Sequence, residues 1–128
     1  MRRSDQRRAA VVALYQQDVT GRPLDDVMPA NAFLFTRELT EGVEVEREEL
    51  DALIEKHSEG WTLDRIAPLE RNILRVALHE LLHRGDIPDE VAIDEAVEAA
   101  KELCSAEAPK FVNGILGTVQ RKRTAAKR

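Results

Sequence analysis

The chain has 128 residues, 43% of them hydrophobic and 34% charged, a balance that points to one globular domain and excludes a disordered chain. A single cysteine, Cys104, excludes an internal disulfide, and the sequence shows neither an apolar signal segment nor a membrane span, so a reducing cytoplasmic setting without membrane contact is expected. The net charge of −5 is unevenly laid: residues 1–8 carry four arginines against one aspartate, residues 121–128 carry five basic residues, and the acids lie between.

Apolar residues recur at helical spacing and strand signals are nearly absent, so the expected fold is all-α. The first helix is predicted from about Ser4, as N-cap, to Thr20, with Val11, Leu14 and Tyr15 on one stripe extended by Asp18 and Val19, and with Gly21-Arg22-Pro23 as its end. A second helix is expected after Pro29, running to about Glu41 with Phe33, Leu34 and Leu39 as its apolar residues. A third carries Val43, Leu50, Leu53, Ile54 and His57 on one face, and Gly42 is either the break between them or a tolerated interior glycine. Gly60-Trp61-Thr62 reads as a connection, with Trp61 plugging a junction between helices.

A short turn, Leu63 to Ala67, leads to a helix from Pro68 to about Arg84, with proline in its first turn. Its Leu69, Ile73, Leu74, Val76, Ala77, Leu78, Leu81 and Leu82 cover most of the circumference, which places it at the centre of the fold. After Gly85-Asp86-Ile87-Pro88 comes a helix with Ile93, Ala96, Val97, Ala100, Leu103 and Cys104 on one face. A last helix, with Pro109 near its start, carries Phe111, Val112, Ile115, Leu116 and Val119; the basic residues beyond Arg121 are expected to fray. The expected count is about seven helices including the short turn. They fall in an amino-terminal unit (1–59), a carboxyl-terminal unit (60–121) and a basic tail (122–128).

One short motif points to a different chemistry. His79-Glu80-Leu81-Leu82-His83 has the spacing that sets two imidazoles on one helix face to hold zinc, with glutamate as base. No third ligand follows it: there is no downstream histidine, and His57, upstream, has no motif around it. Metal is therefore not expected, and a zinc hydrolase is a remote alternative. Cys104, on an apolar face without a histidine partner, reads as a small buried hydrophobe.

Several blocks, in order, resemble the NusB family of transcription antitermination factors. They are the basic opening Arg2-Arg3-Ser4-Asp5-Gln6-Arg7-Arg8-Ala9-Ala10 with Leu14-Tyr15, the central Leu69-Glu70-Arg71-Asn72-Ile73-Leu74-Arg75 with Glu80-Leu81, Ile87-Pro88, Val91-Ala92-Ile93-Asp94-Glu95-Ala96, and Lys110-Phe111-Val112-Asn113-Gly114. Asp94 stands where the family commonly has asparagine, and Gly117 where aspartate often follows. The resemblance implies a two-part helical fold and a non-enzymatic adaptor without a cofactor. Such an adaptor pairs with the ribosomal protein NusE, binds single-stranded boxA-type RNA, and joins an antitermination complex on RNA polymerase during ribosomal RNA transcription.

The candidate residues follow from chemistry and from family position together. Arg2, Arg3, Arg7 and Arg8 suit phosphate, since guanidinium grips it bidentately, although cations at a helix start oppose its dipole. Lys110 is a candidate phosphate contact at the start of the last helix and Asn113 a candidate base reader, while Glu107 would repel phosphate and so tune affinity. Asn113-Gly114 alternatively serves close helix packing, Phe111 reads as core, and Tyr15 is either core or an RNA and partner contact. By family position, Glu70, Arg71 and Arg75 fit the partner surface, with Arg75 also at the RNA; a plain solvated face is the alternative. Three other functions stay open: a module for ribosomal RNA processing or ribosome assembly, a domain related to that fused to ribosomal RNA cytosine methyltransferases, and a homodimer that hides its RNA face. Chain length and the lack of a glycine-rich cofactor loop distinguish the second.

Overall fold

The computed structural model describes residues 1–126. The described residues form six α-helices and one 3₁₀ turn: α1 (Arg3–Thr20), α2 (Leu24–Val27), α3 (Leu34–His57), the turn Leu63–Arg65, α4 (Pro68–His83), α5 (Asp89–Leu103) and α6 (Ala108–Ala126). The fold is all-α, as the periodicity requires.

The center is α4. Asn72 through Leu81 are buried without interruption, and α1, α3, α5 and α6 all pack on it. Pro68 opens it, where a missing N–H costs nothing. Fully buried Leu74 and Leu78 each contribute about 1.5–3 kcal/mol by leaving water. Both α1 and α3 run antiparallel to α4: Arg7 meets Glu80 while Asp18 meets Arg71, and Glu38 meets Arg84 while Asp51 meets Arg75. α5 and α6 form a hairpin whose open end is held by Arg123 and Asp89. One apolar cluster, from Ala10 to Val119, runs across the boundary expected near residue 60.

Several boundaries differ from the sequence reading. α1 starts at Arg3 with Arg2 as N-cap, and the Ser4 hydroxyl donates to Glu95 at 2.7 Å instead of capping. Gly21 closes α1 in the left-handed region, φ 73°, donating its N–H to the Gln17 carbonyl. Val19, Phe33 and Leu34, expected in apolar stripes, are exposed. α2 is a single turn, too short for periodicity to reveal. α6 continues as helix to Ala126 rather than fraying after Arg121; Lys127 and Arg128 of the basic tail lie outside the described residues.

α3 is one helix of 24 residues, unbroken at Gly42. A Cβ on Gly42 would come 2.2 Å from Cε1 of His79, so the glycine makes room for an imidazole from α4. Gly114 contrasts with it: nothing lies within 4 Å of a Cβ there, which removes the close-packing reading of Asn113-Gly114. The two glycines predict opposite signs. Gly42→Ala should lower stability by about 1–3 kcal/mol through overpacking, whereas Gly114→Ala should raise it by about 0.5–1 kcal/mol through helix propensity. Urea midpoints of the two variants check this.

Candidate functional site

The basic cluster of α1 divides into buried and open arginines. Arg7 falls on the face of Ala10, Val11 and Leu14 and is only 6% exposed. Its Nε donates to both Glu80 oxygens at 3.0 and 3.1 Å and its Nη2 to one of them at 2.8 Å; Glu80 is 1% exposed. This bidentate pair and the burial around it seat Arg7 in the core, apart from the open arginines of α1. Arg8 is half-buried, donating to Glu102 at 2.9 Å and Glu95 at 3.4 Å. Burial works against its charge, but these carboxylates hold its pKa above the ordinary value. Arg2 and Arg3 remain exposed: Arg2 touches Asp5 at 3.5 Å, and the Arg3 guanidinium lies 4.2 Å from the centre of the Phe35 ring.

A second network closes the other end of α4. Asp18 accepts from Arg71 Nε and Nη2 at 2.7 and 3.0 Å, from Asn72 Nδ2 at 3.0 Å and from Arg75 Nη1 at 2.9 Å. Arg75 also grips Asp51 with bonds of 2.8 and 3.1 Å, and Arg71 donates to the Leu63 and Ile66 carbonyls, tying down the 3₁₀ turn. Burial alone would push the Asp18 carboxyl up; the bonds from Arg71 and Asn72 and the charge of Arg75 outweigh it and hold the pKa at about 2. Arg75 is 3% exposed, so neither it nor Arg71 presents a free guanidinium to a partner. They are i, i+4 neighbours as the sequence indicated, but they converge on a carboxylate from α1.

What is open lies around Trp61, which is 54% exposed and not the plug expected of it. Trp61 and Phe111 form aromatic walls of a groove of about 320 Å³ that also takes in Arg65, Glu70, Ser105 and Glu107. A second hollow of about 520 Å³ adjoins it, lined by His57, Trp61, Glu107, Lys110, Phe111 and Arg121 among others. Burial raises the Glu70 carboxyl above its ordinary value. Burial, and then the charge of Glu70, push the half-buried Cys104 thiol up to about 11, so it is not a nucleophile. Lys110 and Asn113, three residues apart on α6, are exposed, and Tyr15 is half-buried on α1.

The structure therefore gathers Glu70, Glu107 and Lys110 beside two aromatic rings. It leaves Arg2 and Arg3 elsewhere, beside the Arg84 end of α4. The 16 residues of α4 separate the two regions by about 24 Å. The aromatic Trp61 next to a Gly60 with φ 89° was the signal for the groove; a tight left-handed turn pushes the ring outward.

The NusB family pattern matches residues 4–121. The chain belongs to the NusB family. It is 44% identical over 122 residues to the transcription antitermination protein NusB of Rubrobacter xylanophilus, covering 91% of this chain and 88% of the relative. Identity to the NusB of Thermobifida fusca is also 44%, over 123 residues, covering 89% of this chain and 85% of that one. Among solved structures it resembles T. maritima NusB with a TM-score of 0.87 at 34% identity, covering 95% of this chain and 92% of that one. It also resembles the NusB-like chain in a crystal structure of the antitermination factors NusB and NusE in complex with dsRNA, with a TM-score of 0.83 at 26% identity, covering 94% and 96%.

NusB proteins are antitermination factors, not enzymes, and the zinc-hydrolase reading falls with that. The geometry gives the physical reason: Glu80, the glutamate a hydrolase would need as base, is locked in the core by Arg7. Among the described residues no helix is long and apolar enough to cross a membrane.

Proposed function

We propose that this transcription antitermination protein works as an adaptor that pairs with NusE and binds single-stranded boxA-type RNA, within an RNA polymerase antitermination complex that forms during ribosomal RNA transcription. The observation that carries this reading is the likeness, over 94% of the chain, to a NusB seen with NusE and RNA. The aromatic-walled groove, in which Glu70 and Glu107 outnumber Arg65, suits a basic protein partner, and half-buried Tyr15 on α1 is assigned to the partner and RNA surface by family position alone. Exposed Lys110 and Asn113 supply a phosphate contact and a base-edge contact, and Arg2 and Arg3 attract the RNA from the far end of α4. Glu107, beside Lys110, limits phosphate affinity by repulsion.

The test is fluorescence anisotropy of a boxA RNA across a salt series with the NusE-bound chain. Lys110→Ala should weaken binding and reduce the salt slope by about 0.7, the loss of one single-strand phosphate contact, and Arg2→Ala/Arg3→Ala by about twice that. Unchanged affinity and slope in both variants would remove these residues from the RNA surface. A duplex RNA run in parallel tests the single-strand preference, and light scattering with and without RNA tests the homodimer that hides its RNA face.

A further inference from the structure

The His79 and His83 pair gains, in three dimensions, neighbours that the sequence motif does not contain. Glu46 and Glu49, one turn apart on α3, face His83 across the antiparallel packing of α3 on α4. His83 Nε2 lies 2.8 Å from Glu49 Oε1 and 3.5 Å from Glu46 Oε1, and one donor atom from each of the three residues falls within 4.8 Å of the others. Behind them, buried His79 donates from Nδ1 to Glu46 Oε1 at 2.7 Å, and its ring stacks on that of His83 with centroids 6.1 Å apart. Gly42 provides the space for that ring. Gly42 thus seats His79, His79 orients Glu46, and Glu46 with Glu49 flanks His83.

We propose that Glu46, Glu49 and His83 bind a zinc-class divalent cation that clips α3 to α4. An imidazole nitrogen with two carboxylate oxygens is a donor set for Zn²⁺, Co²⁺, Ni²⁺ or Cu²⁺; Mg²⁺ and Ca²⁺ prefer oxygen alone. Bonds of about 2.0–2.2 Å in a tetrahedron put donors about 3.4 Å apart. The separations of 2.8 and 3.5 Å around His83 bracket that value. The two carboxylates balance the charge of the cation, and three protein ligands leave a position for water. His79 serves as the partner that fixes a ligating carboxylate. The side chains of His83 and Glu49 are 37% and 53% exposed, which gives the cation an open path from solvent. Glu80, the other member of the sequence motif, has no part in the site because Arg7 holds it in the core. The cation is a clip, not a catalyst.

Calorimetric titration of ZnCl₂ into the untagged full chain tests this, paired with thermal unfolding with and without Zn²⁺. One saturable site per chain is expected, weakened at least tenfold by His83→Ala and by Glu49→Gln, unchanged by His57→Ala, and not displaced by millimolar Mg²⁺. Zn²⁺ should raise the unfolding temperature of the natural chain and leave that of His83→Ala unmoved. His83 and Glu49 are partly solvent-exposed, so these variants retain the fold, and circular dichroism verifies it. Absence of a one-to-one site, or a site that His83→Ala and Glu49→Gln leave intact, would overturn the proposal and reduce the cluster to ion pairs between two helices.

Discussion

Arg7→Ala should destabilise the fold by about 3–5 kcal/mol, the cost of leaving one charge of a buried pair without its partner. Glu80 would then sit almost wholly enclosed among α4 and its neighbours, having lost all three bonds from the guanidinium. The loss is specific to breaking the pair. Arg7→Met combined with Glu80→Leu removes both charges and should recover most of the stability, because apolar replacements of a buried pair are often neutral. Urea denaturation of the two single variants and the double variant measures the coupling. A loss below about 1 kcal/mol for Arg7→Ala would mean that the pair is solvated rather than buried. This result also separates fold from function. A basic residue in an amino-terminal cluster invites assignment to RNA, yet Arg7 would lower RNA binding only by depleting folded protein.

Asp18→Ala should cost a similar amount, about 3–5 kcal/mol, because one carboxylate serves Arg71, Asn72 and Arg75 together. Asp51 retains Arg75, so the greater damage falls on Arg71 and on the 3₁₀ turn it anchors. A pH dependence accompanies it. The folded pKa of Asp18, about 2, lies below the ordinary value of 3.8. Protonation therefore favours the unfolded chain. The stabilisation from this carboxylate is complete above pH 3.8 and is lost as pH falls toward 2. Asp18→Asn should flatten the acid limb of a stability-against-pH profile between those values while leaving the shape above pH 5 unchanged. An acid limb identical to that of the natural chain would show that Asp18 does not carry this linkage.

These two networks mark the limit of what the sequence discloses. The helices of the carboxyl-terminal half were legible because Ile73 to Leu82 and Ile93 to Leu103 keep an unbroken helical period, and Pro68 and Pro88 mark where their helices begin. The family was legible because the blocks at 69–75 and 110–114 stand in order. The fate of each arginine was not legible, because its partner is remote in sequence: Glu80 for Arg7, Asp18 and Asp51 for Arg75. A local clue existed for Arg7, which shares the stripe of Ala10, Val11 and Leu14, and a charge on a buried stripe requires a buried countercharge. Trp61 misled for the opposite reason. Its size suggested a plug, but the left-handed turn at Glu59 and Gly60 sets it on the surface. Of the candidate residues, Lys110, Asn113, Glu107, Arg2 and Arg3 lie exposed, while Arg7 and Arg75 hold the protein together.

The adaptor reading rests on a composite RNA surface, completed by NusE. The measurement that tests it most directly is titration of a fluorescent boxA RNA with this chain alone, with NusE alone and with the co-purified pair at fixed salt. The account predicts that the pair binds at least tenfold more tightly than either protein, a gain of about 1.4 kcal/mol. A pair that binds no more tightly than NusE alone would contradict it.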